Sequence, residues 1–273
     1  MYLLNVSGAN DKREGSWPAG DRKEPATRLG RPALLLLVLL VALLSAAAPA
    51  LSSEAGGDGT TLRPEGQLVY DVLRRGDDIG TLTLEFRPSG EGSLVVRSRM
   101  EIAVSWLSIT VFRFRHDAEE LWRDGRLVAL SSRTNDDGKK RRVELRREGE
   151  RLRGTYNGKA RDLPGDLLPA SLWHPGTILQ SALLDPIKGR SREIAVHDRG
   201  EEKITVDGRS VITHRYSITG QIKRELWYGP DGHLLQVRFP AEDGSEITFI
   251  LRSSTLKENN DDIRATGPLS FPG

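Results

Sequence analysis

The feature that most constrains this chain is an alternation of apolar and polar residues that recurs from about Gly66 to Ser253, cut repeatedly by Asx-Gly pairs. Leu82, Leu84 and Phe86 alternate with Thr81, Thr83 and Glu85. Leu94, Val96, Met100, Ile102 and Val104 share one parity, whereas Arg97, Arg99 and Glu101 hold the other, and Ile247, Phe249 and Leu251 repeat the pattern. Successive side chains of a strand point to opposite faces, so period two sends one set to a core and the other to water. No long segment carries the helical period. Asp124-Gly125, Asp137-Gly138, Asn157-Gly158, Asp207-Gly208, Asp231-Gly232 and Asp243-Gly244 supply the positive φ angles that tight hairpins demand. Gly76-Asp77-Asp78 and the Pro88 to Gly92 stretch read as further turns.

The expected fold is therefore mainly β. An antiparallel meander of roughly ten to twelve strands forms a strongly curved sheet or barrel, since that many strands do not make a flat sheet wet on both faces. One short helix is expected inside the single irregular segment, Leu163 to Pro186, which contains Pro164, Pro169, Pro175 and Pro186. There Thr177 to Leu184 offers about two turns, with Thr177 as cap and Asp185-Pro186 as stop. Residues 66–254 read as one β domain and 255–273 as a disordered tail, because the apolar pattern ends near Ser253.

Residues 1–50 read as a leader. Ala33 to Leu44 is an unbroken run of Ala, Leu and Val, preceded by Arg28 and Arg31 and followed by Ser45-Ala46-Ala47-Ala48-Pro49-Ala50. A basic flank, a short apolar core and small residues at an A-x-A site make a secretory signal, with cleavage expected after Ala50. The alternative is an uncleaved inner-membrane anchor spanning Pro32 to Leu51. Met1–Gly30 is long for the basic part of such a signal, which places the expected start downstream, near Leu29. Residues 51–65 are small and polar, a flexible linker. The protein is thus expected to be exported, periplasmic or extracellular. The leader also holds the whole charge imbalance: six Lys/Arg and four Asp/Glu lie in residues 1–50, leaving 34 of each sign after it. That balance argues against a nucleic-acid binder, which needs a concentrated basic face to displace counterions. The absence of cysteine removes disulfides, thiolate metal sites, thiol catalysis and an acylated N-terminal anchor.

Candidate functional residues cluster in a few stretches. On one unbroken strand, Phe112, Phe114, His116, Ala118, Glu120 and Trp122 share a face. Burying His116 and Glu120 among aromatics is costly unless they are paired or the face lines a cavity with a polar floor; a bulge near Asp117-Ala118 would instead return Glu120 to water. His214, between Ile212 and Tyr216, is either a satisfied core histidine or a ligand group. Trp173 and His174 lie in the irregular segment, where function concentrates on sheet scaffolds. Trp227 and Tyr228 run into the Gly229 to Gly232 turn and could rim a cavity mouth or close the end of the core. Lys139, Lys140, Arg141 and Arg142 form a basic hairpin, either a contact for anionic lipid headgroups or lipopolysaccharide phosphates, or a solvated strand face that blocks edge pairing. Neither a metalloprotease helix, a nucleophile elbow nor a phosphate-binding loop is present, and no cofactor or metal site is legible.

Tyr70 with Gly76 and Ile79-Gly80, the run from His116 to Leu127, Pro169 to Trp173, and Glu225 to Tyr228 with Asp231-Gly232 together resemble an uncharacterised family of exported bacterial proteins known as a domain of unknown function. The resemblance implies a β fold like that of envelope proteins whose curved sheets cradle lipids, such as lipoprotein carriers, and it brings no catalytic residues. The first expectation for function is binding of an apolar or amphipathic, lipid-like molecule in a β cavity. A structural or interaction module with a filled core is the second. An envelope hydrolase using His116, Glu120 or His174 as acid or base is the third.

Overall fold

The computed structural model describes residues 64–90, 92–106 and 109–257. The leader, all but the end of the linker, and the tail beyond Lys257 lie outside the described residues. Among the described residues fifteen strands make one sheet: β1 Gly66–Arg74, β2 Asp77–Pro88, β3 Ser93–Trp106, β4 Ile109–Arg123, β5 Arg126–Asp136, β6 Lys139–Glu148, β7 Arg151–Tyr156, β8 Lys159–Pro164, β9 Leu168–Pro169, β10 Ala182–Asp185, β11 Arg190–Val206, β12 Arg209–Gly220, β13 Arg224–Tyr228, β14 Leu234–Pro240 and β15 Glu246–Ser254. From one edge, β8, the sheet runs back along the chain to β1, crosses to β15, and runs back again to β9. Neighbours are antiparallel except β9 and β10, which are parallel. The ladder between β1 and β15 joins the two ends of the meander, while β8 and β9 share no ladder, so the sheet is strongly curved and not closed.

The turn residues account for the register. Asp124, Asp137, Asn157 and Asp207 have φ of 48–49° and each is followed by a glycine at 71–88°, the type I′ geometry that matches strand twist. Arg75-Gly76 makes a fifth such turn without an Asx residue. At Asp231-Gly232 and Asp243-Gly244 only the glycine is left-handed, and the loops are longer: Gly229 N donates to His233 O over 2.8 Å and Ala241 N to Ser245 O over 2.8 Å.

Two expectations are corrected. Among the described residues the strands number fifteen, thirteen outside the irregular segment and two short ones within it. The helix over 177–184 does not form: a 3-10 helix occupies Pro175–Leu179, capped by His174, and Ala182–Asp185 pairs with β9 and β11. An isolated two-turn helix is marginal, whereas the sheet edge offers ladder hydrogen bonds and complete burial for Leu183 and Leu184. The chain after β15 also stays tied to β1, since Thr255 N donates to Gln67 O and Lys257 N to Glu65 O, both over 2.9 Å.

Cross-strand register explains where the interior is full and where it is not. One row aligns Phe86, Val96, Glu120, Leu130 and Leu145. The next aligns Leu84, Ser98, Ala118, Ser132 and Val143. Three small residues therefore stand side by side on β3, β4 and β5, between rows of large ones. Interiors pack to crystal density only when facing volumes match. At this belt they do not.

A candidate ligand cavity

A cavity of about 160 Å³ lies over the small-residue belt. Ser98 and Ala118 lie against it, Leu84, Phe114, Val237, Phe239 and Phe249 supply apolar wall, and the irregular segment reaches in with Ser171 and the turn between β10 and β11. That turn is anchored: Asp185 Oδ1 accepts the amides of Ile187 (2.9 Å) and Lys188 (3.0 Å), and the Ser132 hydroxyl donates to the Pro186 carbonyl.

The alternation on β4 runs unbroken to Glu120. Phe112, Phe114, His116, Ala118, Glu120 and Trp122 are all buried. The irregularity falls between Leu121 and Trp122 in the pairing with β5, not at Asp117-Ala118, so Glu120 stays inside. Its Oε2 accepts from the indole N–H of Trp122 at 2.9 Å and of Trp173 at 3.1 Å, while Oε1, buried, makes no well-formed hydrogen bond. Burial pushes the carboxyl pKa upward, against the pull of donors on Trp173, Ser171 and Trp122. Trp173 meets Phe86 and Trp122 edge-to-face, each at 5.3 Å between centroids, and the His174 ring stacks on Trp122 at 5.3 Å. His174 Nδ1 accepts from Gly176 N at 3.0 Å, which closes the 3-10 helix, and burial lowers its pKa. Tyr228 donates its hydroxyl to the carbonyl of Leu172 at 3.0 Å, and Leu172 is buried with φ of 63°. A left-handed leucine persists only where its surroundings fix it, and here they hold the segment that carries Ser171 and Trp173.

His116 lies on the cavity wall. Its Nδ1 shares a 2.8 Å hydrogen bond with the Thr134 hydroxyl, its ring stacks loosely on Phe114, and burial brings its pKa down to about 4. It is therefore neutral at pH 7. Among the described residues no group of three or more His, Asp or Glu is placed to hold a metal ion.

The remaining candidates divide. Phe112 and Tyr228 are buried in the core beside the cavity and do not line it. His214 sits away from it: Nε2 meets Asp198 Oδ1 at 2.6 Å, and the ring stacks on Tyr216 at 4.8 Å. Trp227 is buried with the opposite parity to Leu226 and Tyr228, between the guanidinium groups of Arg215 and Arg238, each 5.1 Å from its ring. The basic run of β6 is split by strand alternation. Arg141 turns inward, donates to Asp136 over 3.0 Å and lines the cavity, while Arg142 is exposed and pairs with Glu144 on its own strand. Lys139 and Lys140 are exposed at the turn.

Five charged cavity groups, Asp136, Asp185, Lys188, Arg192 and Arg224, were not among the candidate site residues that sequence reading singled out. Arg224, Asp185 and Arg192 come from strands whose relation to β4 is set by the ladder between β1 and β15. Arg224 sits in an apparently ordinary alternation with Leu226 and Tyr228, and that inward parity was the one signal available.

A family model described as "Domain of unknown function (DUF6134)" matches residues 70–252. No curated protein matches the chain. Among solved structures, the β-barrel-like protein of domain of unknown function DUF1849 from Brucella abortus superposes with a TM-score of 0.53 at 12% identity, covering 72% of this chain and 99% of that one. A protein from Bacteroides fragilis, named as a candidate exported protein with a YmcC-like fold, matches at 11% identity and a TM-score of 0.25, covering 70% of this chain and 96% of its own. The first likeness concerns the fold: a β-barrel-like sheet. The chain belongs to the DUF6134 family.

Proposed function

We propose that this member of the DUF6134 family is an exported protein that holds a small apolar or amphipathic molecule inside its curved sheet. The observation that carries the reading is the pair of small residues Ser98 and Ala118, side by side on β3 and β4, over which about 160 Å³ stays open with Leu84, Phe114, Val237, Phe239 and Phe249 as apolar wall. A rigid apolar hollow of about 150 Å³ takes a benzene-sized guest. The site is largely preformed by sheet hydrogen bonds, so a guest needs little ordering of the protein. Polar and charged groups share the lining with the apolar wall, Glu120 pinned by two indoles and His116 by Thr134. Such groups orient a guest without filling the space. Export rests on the leader read in residues 1–50.

Native mass spectrometry of gently purified protein, with uptake of a small apolar fluorophore, tests the reading against its own control. Wild type is expected to carry or take up a guest. Ala118→Leu, which fills the hollow from the centre of the belt, is expected to remain folded and to lose uptake. Equal uptake by both proteins, or none by wild type, would refute it.

A further inference from the structure

Four cationic side chains line the cavity at the β10–β11 turn and the facing wall: Arg141, Lys188, Arg192 and Arg224. Three carboxylates accompany them, Asp136, Asp185 and Glu120, the last accepting from the indoles of Trp122 and Trp173. Asp136 takes Arg141, and Asp185 Oδ2 takes Arg192 through Nε at 3.1 Å and Nη2 at 3.0 Å while its other oxygen caps the turn. Arg190 adds a further cation 3.9 Å from Asp185. Among the described residues Arg224 has no carboxylate within ion-pair distance. Its Nη1 donates to the neighbouring carbonyl of Lys223 at 2.7 Å, and the guanidinium lies 3.8 Å over the ring of Phe239. Burial lowers its pKa to about 10, so it remains charged at neutral pH, yet it keeps accessible surface. Arg224 lines the cavity. Lys188 and Arg190 are likewise shifted downward by burial and by neighbouring guanidinium groups, a mark of crowded positive charge.

An excess of cations beside an apolar wall is costly unless an anion answers it. An arginine braced on an aromatic face is pre-organised to take two oxygens of one anion. Resting on the cavity reading above, we propose that the guest is an anionic amphiphile, with a compact oxyanion, carboxylate or phosphate monoester, held at Arg224, and a short apolar chain in the hollow. The apolar wall sets the tail, and the charge excess sets the head.

Isothermal titration of the full-length chain with octanoate, octyl phosphate, 1-octanol and inorganic phosphate tests this. Wild type is expected to bind octanoate or octyl phosphate at least about tenfold more tightly than 1-octanol, the better of the two anions naming the head group. Arg224→Gln is expected to remove about tenfold or more of the anion's affinity and to leave 1-octanol within about threefold, whereas Arg224→Lys restores part of the loss. The comparison of acid with alcohol on wild type stands even if the variants fail to fold. Equal binding of acid and alcohol would overturn the head-group assignment and leave the cavity reading intact. Inorganic phosphate binding as tightly as octyl phosphate would show a bare anion site and overturn the amphiphile. No binding by any of the chain compounds would remove the cavity reading as well.

Discussion

Glu120 concentrates the energetic tension of the interior. One carboxylate satisfies two buried indole N–H groups, so its truncation strands both. Glu120→Ala is expected to lower unfolding stability by about 3 kcal/mol or more, and Glu120→Gln, which keeps an acceptor and sheds the charge, to change it by about 1 kcal/mol or less; urea unfolding at pH 7 measures both. His116 gives a pH signature. Its folded pKa, about 4, lies below its unfolded value of 6.5, so the unfolded chain binds the proton first. Stability should be unaffected by this residue above pH 6.5, fall as pH drops through the window from 6.5 to 4, and level off below, losing up to about 3 kcal/mol at about 1.4 kcal/mol per unit. His116→Asn should lack that component when unfolding is compared at pH 7 and 4.5. The inward parity of both residues was legible from the alternation on β4. The identity of their partners was not, because Trp173 and Thr134 reach them from elsewhere in the chain. His214 and Trp227 show the converse. Their neighbours in sequence look like core, yet His214 reaches Asp198 on β11 and Trp227 has the opposite parity to Leu226 and Tyr228, and neither lines the cavity.

At the scale of elements, turn chemistry carried most of the topology. Each Asx-Gly pair marks a hairpin, and hairpins in series can only build an antiparallel meander. The parallel contact of β9 with β10 escaped because two-residue and four-residue strands carry no periodicity to read. Glycine has two distinct roles here. Gly80 follows an irregularity between Val72 and Leu73 on β1, has φ of 158°, and a Cβ there would stand 2.0 Å from the carbonyl oxygen of Glu101. Gly80→Ala is expected to cost about 2–4 kcal/mol through displacement of β3. At the tip of a turn, Gly125 has open space around it, so Gly125→Ala should cost only the left-handed backbone, about 1–2 kcal/mol. Thermal unfolding of the two variants side by side checks the ranking.

For the whole molecule, a strongly curved antiparallel sheet follows from the sequence pattern, and the β1–β15 ladder and the hollow do not. Small residues at Ser98, Ala118 and Ser132 are unremarkable in a linear reading. Only the register aligns them across three strands, and only the curvature brings Arg224 and the Asp185 turn to face them. The leader belongs to the same scale. Protein recovered from outside the cytoplasm is expected to begin at Leu51 when its N-terminus is sequenced, and a start upstream of Ala33 would favour an uncleaved anchor. The claim on which the functional account depends is that the belt leaves a stable apolar hollow. A crystal pressurised with xenon reads this directly, because such cavities admit the gas and filled cores do not. The account predicts a xenon atom between Ala118 and the wall formed by Val237 and Phe249, absent in Ala118→Leu; side chains packed solid over Ser98 and Ala118, with no xenon between them, would contradict it.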